Sequence, residues 1–251
     1  MSSFVANGWF NTPAPFVIGH RGASAAAPEN TLAAFRLAKE QGAHGIEFDV
    51  QLSADGVPVI VHDDTVDRTT NGRGRVTDLT LAQLQALDAG QGESIPTLAQ
   101  VFALFGPHFL YNLEIKNDDQ DDKGAESAIA ACIRHYGVQQ QILISSFNPA
   151  ALSRLYLLTG DEIPLGFLHI GMFDRYSPTW SFPCHADHPY YETLDADYMA
   201  WARANNYLVN IWTLDDVPIA QKLIRLGVHS LISNQPGTLL SGIRSERHET
   251  P

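Results

Sequence analysis

Short apolar runs alternate with amphipathic stretches along most of this chain, and that alternation limits its possible fold more than any other property. FVIGHRG, GIEFDVQL, LYNLEIKN, QILISSFN, IPLGFLH, YLVNIWTL and SLISN read as strands. Between them NTLAAFRLAKEQG, AESAIAACIRHYG, PAALSRLYLLTG, LDADYMAWARANN and VPIAQKLIRLG carry apolar residues at helical spacing. With a further strand near Cys184 these segments make about eight strand-helix units, the count of a closed α/β (β/α)8 TIM barrel.

One connection breaks the rhythm. The segment from about Ser53 to Thr97, following the second strand, is twice the length of an ordinary βα connection, and long insertions of this kind usually serve function. After the turn Ala54-Asp55-Gly56 it offers another strand, VPVIVHDD, and a short helix, DLTLAQLQAL, and a second short helix, TLAQVFALFG, follows before LYNLEIKN. No Pro/Ser-rich linker divides the chain, and 251 residues suit one barrel, so residues 1–251 are expected to form a single domain with a small insertion.

Composition narrows the chemistry. Apolar residues make up 45% and charged residues 18%, as in an ordinary globular protein. A formal charge of −12 argues against nucleic acid, because phosphate-backbone binding needs a basic face. The opening MSSFVANGWFNTPAPF lacks a basic segment followed by an apolar one, and no run of 18 apolar residues occurs, so a cytoplasmic protein without stable membrane association is expected. Cys132 and Cys184 are far apart and outside any C-x-x-C spacing, and both read as inert thiols.

Strands buried on both faces should be continuous Val, Ile and Leu. Here they end instead in His20-Arg21, Glu47-x-Asp49 and Glu114-x-Lys116, with His62-Asp63 closing the strand of the insertion. Side chains two apart in a strand share a face, with Cα atoms about 6.6 Å apart, so Glu47 and Asp49 can reach one ion. Glu114 adds a third carboxylate from the next strand. Buried carboxylates need neutralising, and three hard oxygen ligands describe a Mg²⁺ or Ca²⁺ site. His20 and His62 are suited to an acid-base pair near neutral pH, and Arg21 offers a planar fork for phosphate. Phe147 and Trp212, at the ends of the fourth and seventh barrel strands, read either as core aromatics or as a wall at the same mouth against which an apolar or cationic group packs. His44 reads as a loop residue at the opposite end, and His185 and His188 as residues of a wet rim.

HRGASAAAPENTLAAF, GIEFDVQLSADGVPVIVHDDTVDRTTNGRG, IPTL and LEIK, taken in that order, resemble the glycerophosphodiester phosphodiesterase family, and the similarity continues through SSFNP, Ile211-Trp212-Thr213 and GVHSLISNQP. The resemblance implies a metal-assisted barrel hydrolase that cleaves glycerophosphodiesters to glycerol 3-phosphate and an alcohol. It implies His20 and His62 as the acid-base pair, Glu47, Asp49 and Glu114 as metal ligands, Arg21 and Lys116 on the phosphate, and the insertion as the part that holds glycerol. The family usually shows Ala-Asp where this chain has Ala43-His44, and Thr-Asp where it has Ser233-Asn234. The second departure removes a carboxylate from the mouth of the last strand and so bears on any supporting hydrogen bond made there. Two rival readings are a phosphodiesterase of lysophospholipase D type, for which MFDRYSPTWSFP would supply the apolar surface, and a barrel that binds phosphate ligands without turnover.

Overall fold

The computed structural model describes residues 7–117, 121–171 and 183–247. Its strands are β1 (Phe16–His20), β2 (Gly45–Leu52), β3 (Pro58–Ile60), β4 (Leu110–Ile115), β5 (Ile142–Ser146), β6 (Leu165–His169), β7 (Ala186–Pro189), β8 (Leu208–Ile211) and β9 (Ser230–Ser233). Among the described residues all of these except β3 pair in parallel around a ring, β1-β2-β4-β5-β6-β7-β8-β9, closed by the β9–β1 pairing. The fold is therefore an eight-stranded parallel barrel of the TIM type, with β3 added antiparallel to the end of β2.

Helices α2 (Leu32–Glu40), α4 (Leu98–Phe105), α5 (Ala125–Tyr136), α6 (Pro149–Thr159), α7 (Ala196–Ala204), α8 (Val217–Leu226) and α9 (Pro236–Arg247) follow barrel strands, with α1 (Gly8–Asn11) ahead of them and α3 (Leu81–Gln85) inside the insertion. Local chemistry starts them. Thr31 and Asp216 accept from backbone N–H groups three residues on, and Thr97 forms a reciprocal capping box with Gln100. Asn148 caps α6 with Pro149 in its first turn, only two residues after β5, which leaves Phe147 standing at the strand's mouth.

The main core lies between strands and helices, where Phe35, Phe48, Phe102, Tyr111, Leu113 and Ile129 are fully buried. A second apolar cluster built on Trp9, Phe16, Ile18, Leu110 and Leu143 closes the bottom of the barrel. Trp9 is pinned there by its indole N–H, which donates to the Tyr111 and Gln141 carbonyls at 3.2 and 3.0 Å. Above that apolar floor the barrel interior turns polar, with Asn112, Ser145, His188, Asn210 and Ser230 all buried.

The insertion's strand forms, three residues long and antiparallel to β2, and His62 lies two residues past its end. One expectation changes. His188 is not on a wet rim. It points into the barrel, fully buried, where Asn210 Nδ2 donates to its Nε2 at 3.0 Å and burial lowers its pKa to about 3. Gly166 on the neighbouring strand makes room for it, since a Cβ there would stand 2.6 Å from His188 Nε2. Met172 to Ser181 and Phe182, the bulk of the aromatic stretch invoked for a phospholipid-binding surface, lie outside the described residues. No helix among the described residues is long and apolar enough to cross a membrane.

Candidate active site

At the C-terminal ends of the strands a cleft of ≈ 370 Å³ is lined by His20, Arg21, Glu47, His62, Asn112, Glu114, Ser145, Phe147 and Trp212. Strand register assembles its acids. Asp49 pairs with Glu114 across β2 and β4, and Glu47 lies one level deeper, opposite Asn112. The three carboxylates are buried and present oxygen atoms within 4.8 Å of one another.

Such a cluster is costly without a cation. Burial, followed by the charges of Asp49 and Glu114, pushes the Glu47 pKa well above the ordinary carboxylate range. Burial and then Asp49 push Glu114 up to about 7. Asp49 Oδ1 is buried with no hydrogen-bond partner. Three converging carboxylates, two of them resisting ionisation and one with an orphaned oxygen, fit a hard divalent ion. A stability prediction follows from linkage. A carboxyl whose folded pKa is raised binds more protons folded than unfolded, so its contribution is present below 4.5 and is lost as pH climbs toward about 7. The metal-free protein is expected to melt progressively lower between those pH values, and saturating divalent ion should remove most of that slope; calorimetry with and without chelator measures both.

The segment after β1 supplies the second ring of contacts. Arg21 has φ 54, a left-handed conformation uncommon outside glycine, and Asn30 has φ 58. This turn aims the Arg21 backbone N–H at Glu47 Oε2 (3.0 Å) and sets Arg21 Nε 3.3 Å from Asp49 Oδ2. Gly22, at φ +84, tucks the turn against α2, where a Cβ would meet Ala34 at 2.6 Å. Burial disfavours the guanidinium charge, but Asp49, Glu47 and Glu29 outweigh it and raise the Arg21 pKa. Asn30 Nδ2 donates to Asp49 Oδ2 at 2.8 Å.

Each histidine is held by one nitrogen. Asp215 Oδ2 accepts from Asn234 Nδ2 at 2.7 Å, which turns the amide so that its Oδ1 faces His20 Nδ1 at 2.7 Å. An amide oxygen only accepts, so His20 carries its proton on Nδ1 and presents Nε2 to the cleft, 3.9 Å from Glu47. Burial, then Arg21, lowers the His20 pKa and favours the neutral ring. The departure at Ser233-Asn234 thus leaves a hydrogen bond to His20 in place, with a carboxylate behind the amide at Asp215, 19 positions earlier in the chain. His62 Nδ1–H donates to Asp63 Oδ1 at 2.6 Å, and its Nε2 lies 3.5 Å from Lys116 Nζ. Lys116 in turn donates to Glu114 at 3.0 Å.

The aromatic wall is real in space. The Phe147 and Trp212 rings meet edge to face at 5.4 Å, and Trp212 is fixed by its indole N–H on the His188 carbonyl at 2.7 Å. Lys116 Nζ lies 5.9 Å from the Phe147 ring centre. His44 sits away from this mouth, accepting from the Val17 N–H. Burial pushes the Cys132 thiol up to about 11 and the Cys184 thiol up to about 12, which favours the protonated form at both.

All nine residues singled out from the sequence stand in or beside this cleft. Those that went unremarked are Glu29 and Asn30, Asn112 and Ser145 on its floor, and Asp215 behind Asn234. Asn112 had a signal available, the same alternation phase as Glu114. Asp215 had none, because nothing local to it marks its distant partner.

A parallel barrel with a buried acidic triad and two oriented imidazoles at its C-terminal mouth has the layout of a hydrolytic enzyme's active site. The profile of the glycerophosphoryl diester phosphodiesterase family matches residues 20–238. A glycerophosphodiester phosphodiesterase of Caldanaerobacter subterraneus is 38% identical over 237 residues, covering 91% of this chain and 97% of that protein. One from Bacillus subtilis is 29% identical, covering 87% and 83%. A solved phosphodiesterase of Oleispira antarctica, in complex with the product sn-glycerol-3-phosphate, superposes with a TM-score of 0.83 at 34% identity over 92% of this chain and 97% of the other. The chain belongs to the glycerophosphoryl diester phosphodiesterase family. It is an enzyme of that class, a glycerophosphodiester phosphodiesterase.

Proposed function

We propose that this chain hydrolyses glycerophosphodiesters to glycerol 3-phosphate and an alcohol, with His20 and His62 as the proton-transfer pair and a divalent cation, Mg²⁺ or Ca²⁺, held by Glu47, Asp49 and Glu114. The observation that carries the reading is the meeting, in one cleft, of a buried acidic triad with two imidazoles that both present Nε2. When bound, the cation supplies charge that offsets what develops on a nonbridging phosphate oxygen. Arg21 and Lys116 grip the phosphate from two sides. One imidazole takes a proton from the attacking hydroxyl while the other gives one to the departing alkoxide. Phe147 and Trp212 shield the cleft from bulk water and offer a flat apolar face to the substrate. The test is release of glycerol 3-phosphate from a panel of glycerophosphodiesters with each metal restored after chelation, run beside a lysophospholipid. Cleavage of the lysophospholipid alone would replace the substrate assignment.

Glycerol carries a hydroxyl beside the esterified carbon, and a tethered nucleophile gains a large effective molarity. The reaction is therefore expected in two steps, through a five-membered cyclic phosphate that water then opens with the histidine roles reversed. A substrate analogue with that hydroxyl replaced by hydrogen should bind but undergo almost no cleavage. Cleavage at the parent rate would establish direct attack by water.

A further inference from the structure

Arg68 lies in the insertion and touches none of the three acids, yet its guanidinium joins two separate parts of the mouth. Its Nε and Nη2 donate to Asp63 Oδ2 and Oδ1 at 2.6 and 3.0 Å. Its Nη1 and Nη2 donate to Glu29 Oε2 and Oε1, both at 2.8 Å. Each carboxylate passes the contact on. Asp63 Oδ1 accepts from His62 Nδ1–H at 2.6 Å, and Glu29 Oε1 accepts from Arg21 Nη1 at 2.8 Å. Burial works against ionisation of Glu29, but hydrogen bonds from Arg68 and the charge of Arg21 bring its pKa down to about 2. Arg68, first, also lowers that of Asp63.

We propose that Arg68 is a positioning residue that sets His62 and Arg21 as one unit, through the continuous chain His62–Asp63–Arg68–Glu29–Arg21. The backbone that carries His62 is held to β2, where Gln51 Nε2 donates to the Val61, His62 and Asp63 carbonyls at 3.0, 3.2 and 2.7 Å, so what the fork adds is the aim of the His62 ring, through Asp63, relative to the phosphate-facing Arg21 guanidinium. A planar fork can hold two carboxylates bidentately; an ammonium meets them as a point charge. Arg68 is half exposed, and exposed ion pairs contribute little to stability. Its loss therefore falls on geometry, where a misplacement of about 1 Å can cost ~10²-fold in rate.

The proposal rests on the functional reading above, and its test separates the two. Arg68→Met is expected to lower kcat by ~10²-fold, with divalent-ion affinity and melting temperature close to wild type. Arg68→Lys should recover little of the loss. The double variant Arg68→Met/Asp63→Asn should be no slower than the worse single variant, since both interrupt one chain. Nitrogen NMR on histidine-labelled protein supplies a readout independent of turnover: His62 should be a single Nδ1–H tautomer in wild type and a mixture in Arg68→Met. Near-normal kcat in Arg68→Met, full recovery in Arg68→Lys, additive losses in the double variant, or a melting temperature that falls in step with activity would each overturn the proposal. If wild type cleaves no glycerophosphodiester, the functional reading fails by itself, and an unchanged His62 tautomer in Arg68→Met would still overturn the coupling.

Discussion

Glu47→Gln is expected to reduce turnover by at least ~10³-fold, and excess chelator to abolish it in the wild type. Withdrawing a divalent ion removes several kcal/mol of transition-state charge stabilisation, and each 1.4 kcal/mol or so is a factor of ten in rate. Glutamine keeps the length of the side chain but replaces one of the three carboxylates proposed to hold the ion with a neutral amide, so ion affinity should fall with activity. Without metal, the sign of the stability effect is opposite. Glu47 is buried beside Asp49 and Glu114 and resists ionisation, so the metal-free variant should melt higher than metal-free wild type at pH 8. Calorimetric ion titration, kcat and melting curves on both proteins measure all three quantities. Undiminished turnover in excess chelator would remove the cation from the proposal.

His20→Ala and His62→Ala should each lower kcat by ~10²- to 10⁴-fold, the scale for losing a positioned proton-transfer group, while leaving ion binding intact. The two losses should differ in how the supporting residue contributes. His20 is oriented by a neutral amide backed by Asp215, whereas His62 is oriented by a carboxylate directly. Asn234→Asp should therefore preserve the Nδ1–H tautomer of His20 and retain substantial turnover, and Asn234→Leu should not. Steady-state rates at saturating substrate, with circular dichroism to verify folding, decide these outcomes. A normal kcat in either histidine variant removes that residue from the reaction.

The eight-stranded barrel and the gathering of Glu47, Asp49 and Glu114 were legible in the sequence because both rest on local periods. Alternation at two residues per strand puts Glu47 and Asp49 on one face whatever surrounds them, and parallel pairing brings Glu114 level with Asp49. The insertion was legible as an excess of length, and the histidines as residues at the ends of apolar runs. Tertiary structure alone decided how those residues are aimed. The Arg21 N–H on Glu47, the Asp215–Asn234–His20 relay, the Arg68 contact with Glu29 and the Asn210 bond to buried His188 all join residues distant in sequence. Side-chain periodicity records which face a residue occupies, but a hydrogen bond depends on two positions at once, and the second of them is set only when the barrel closes.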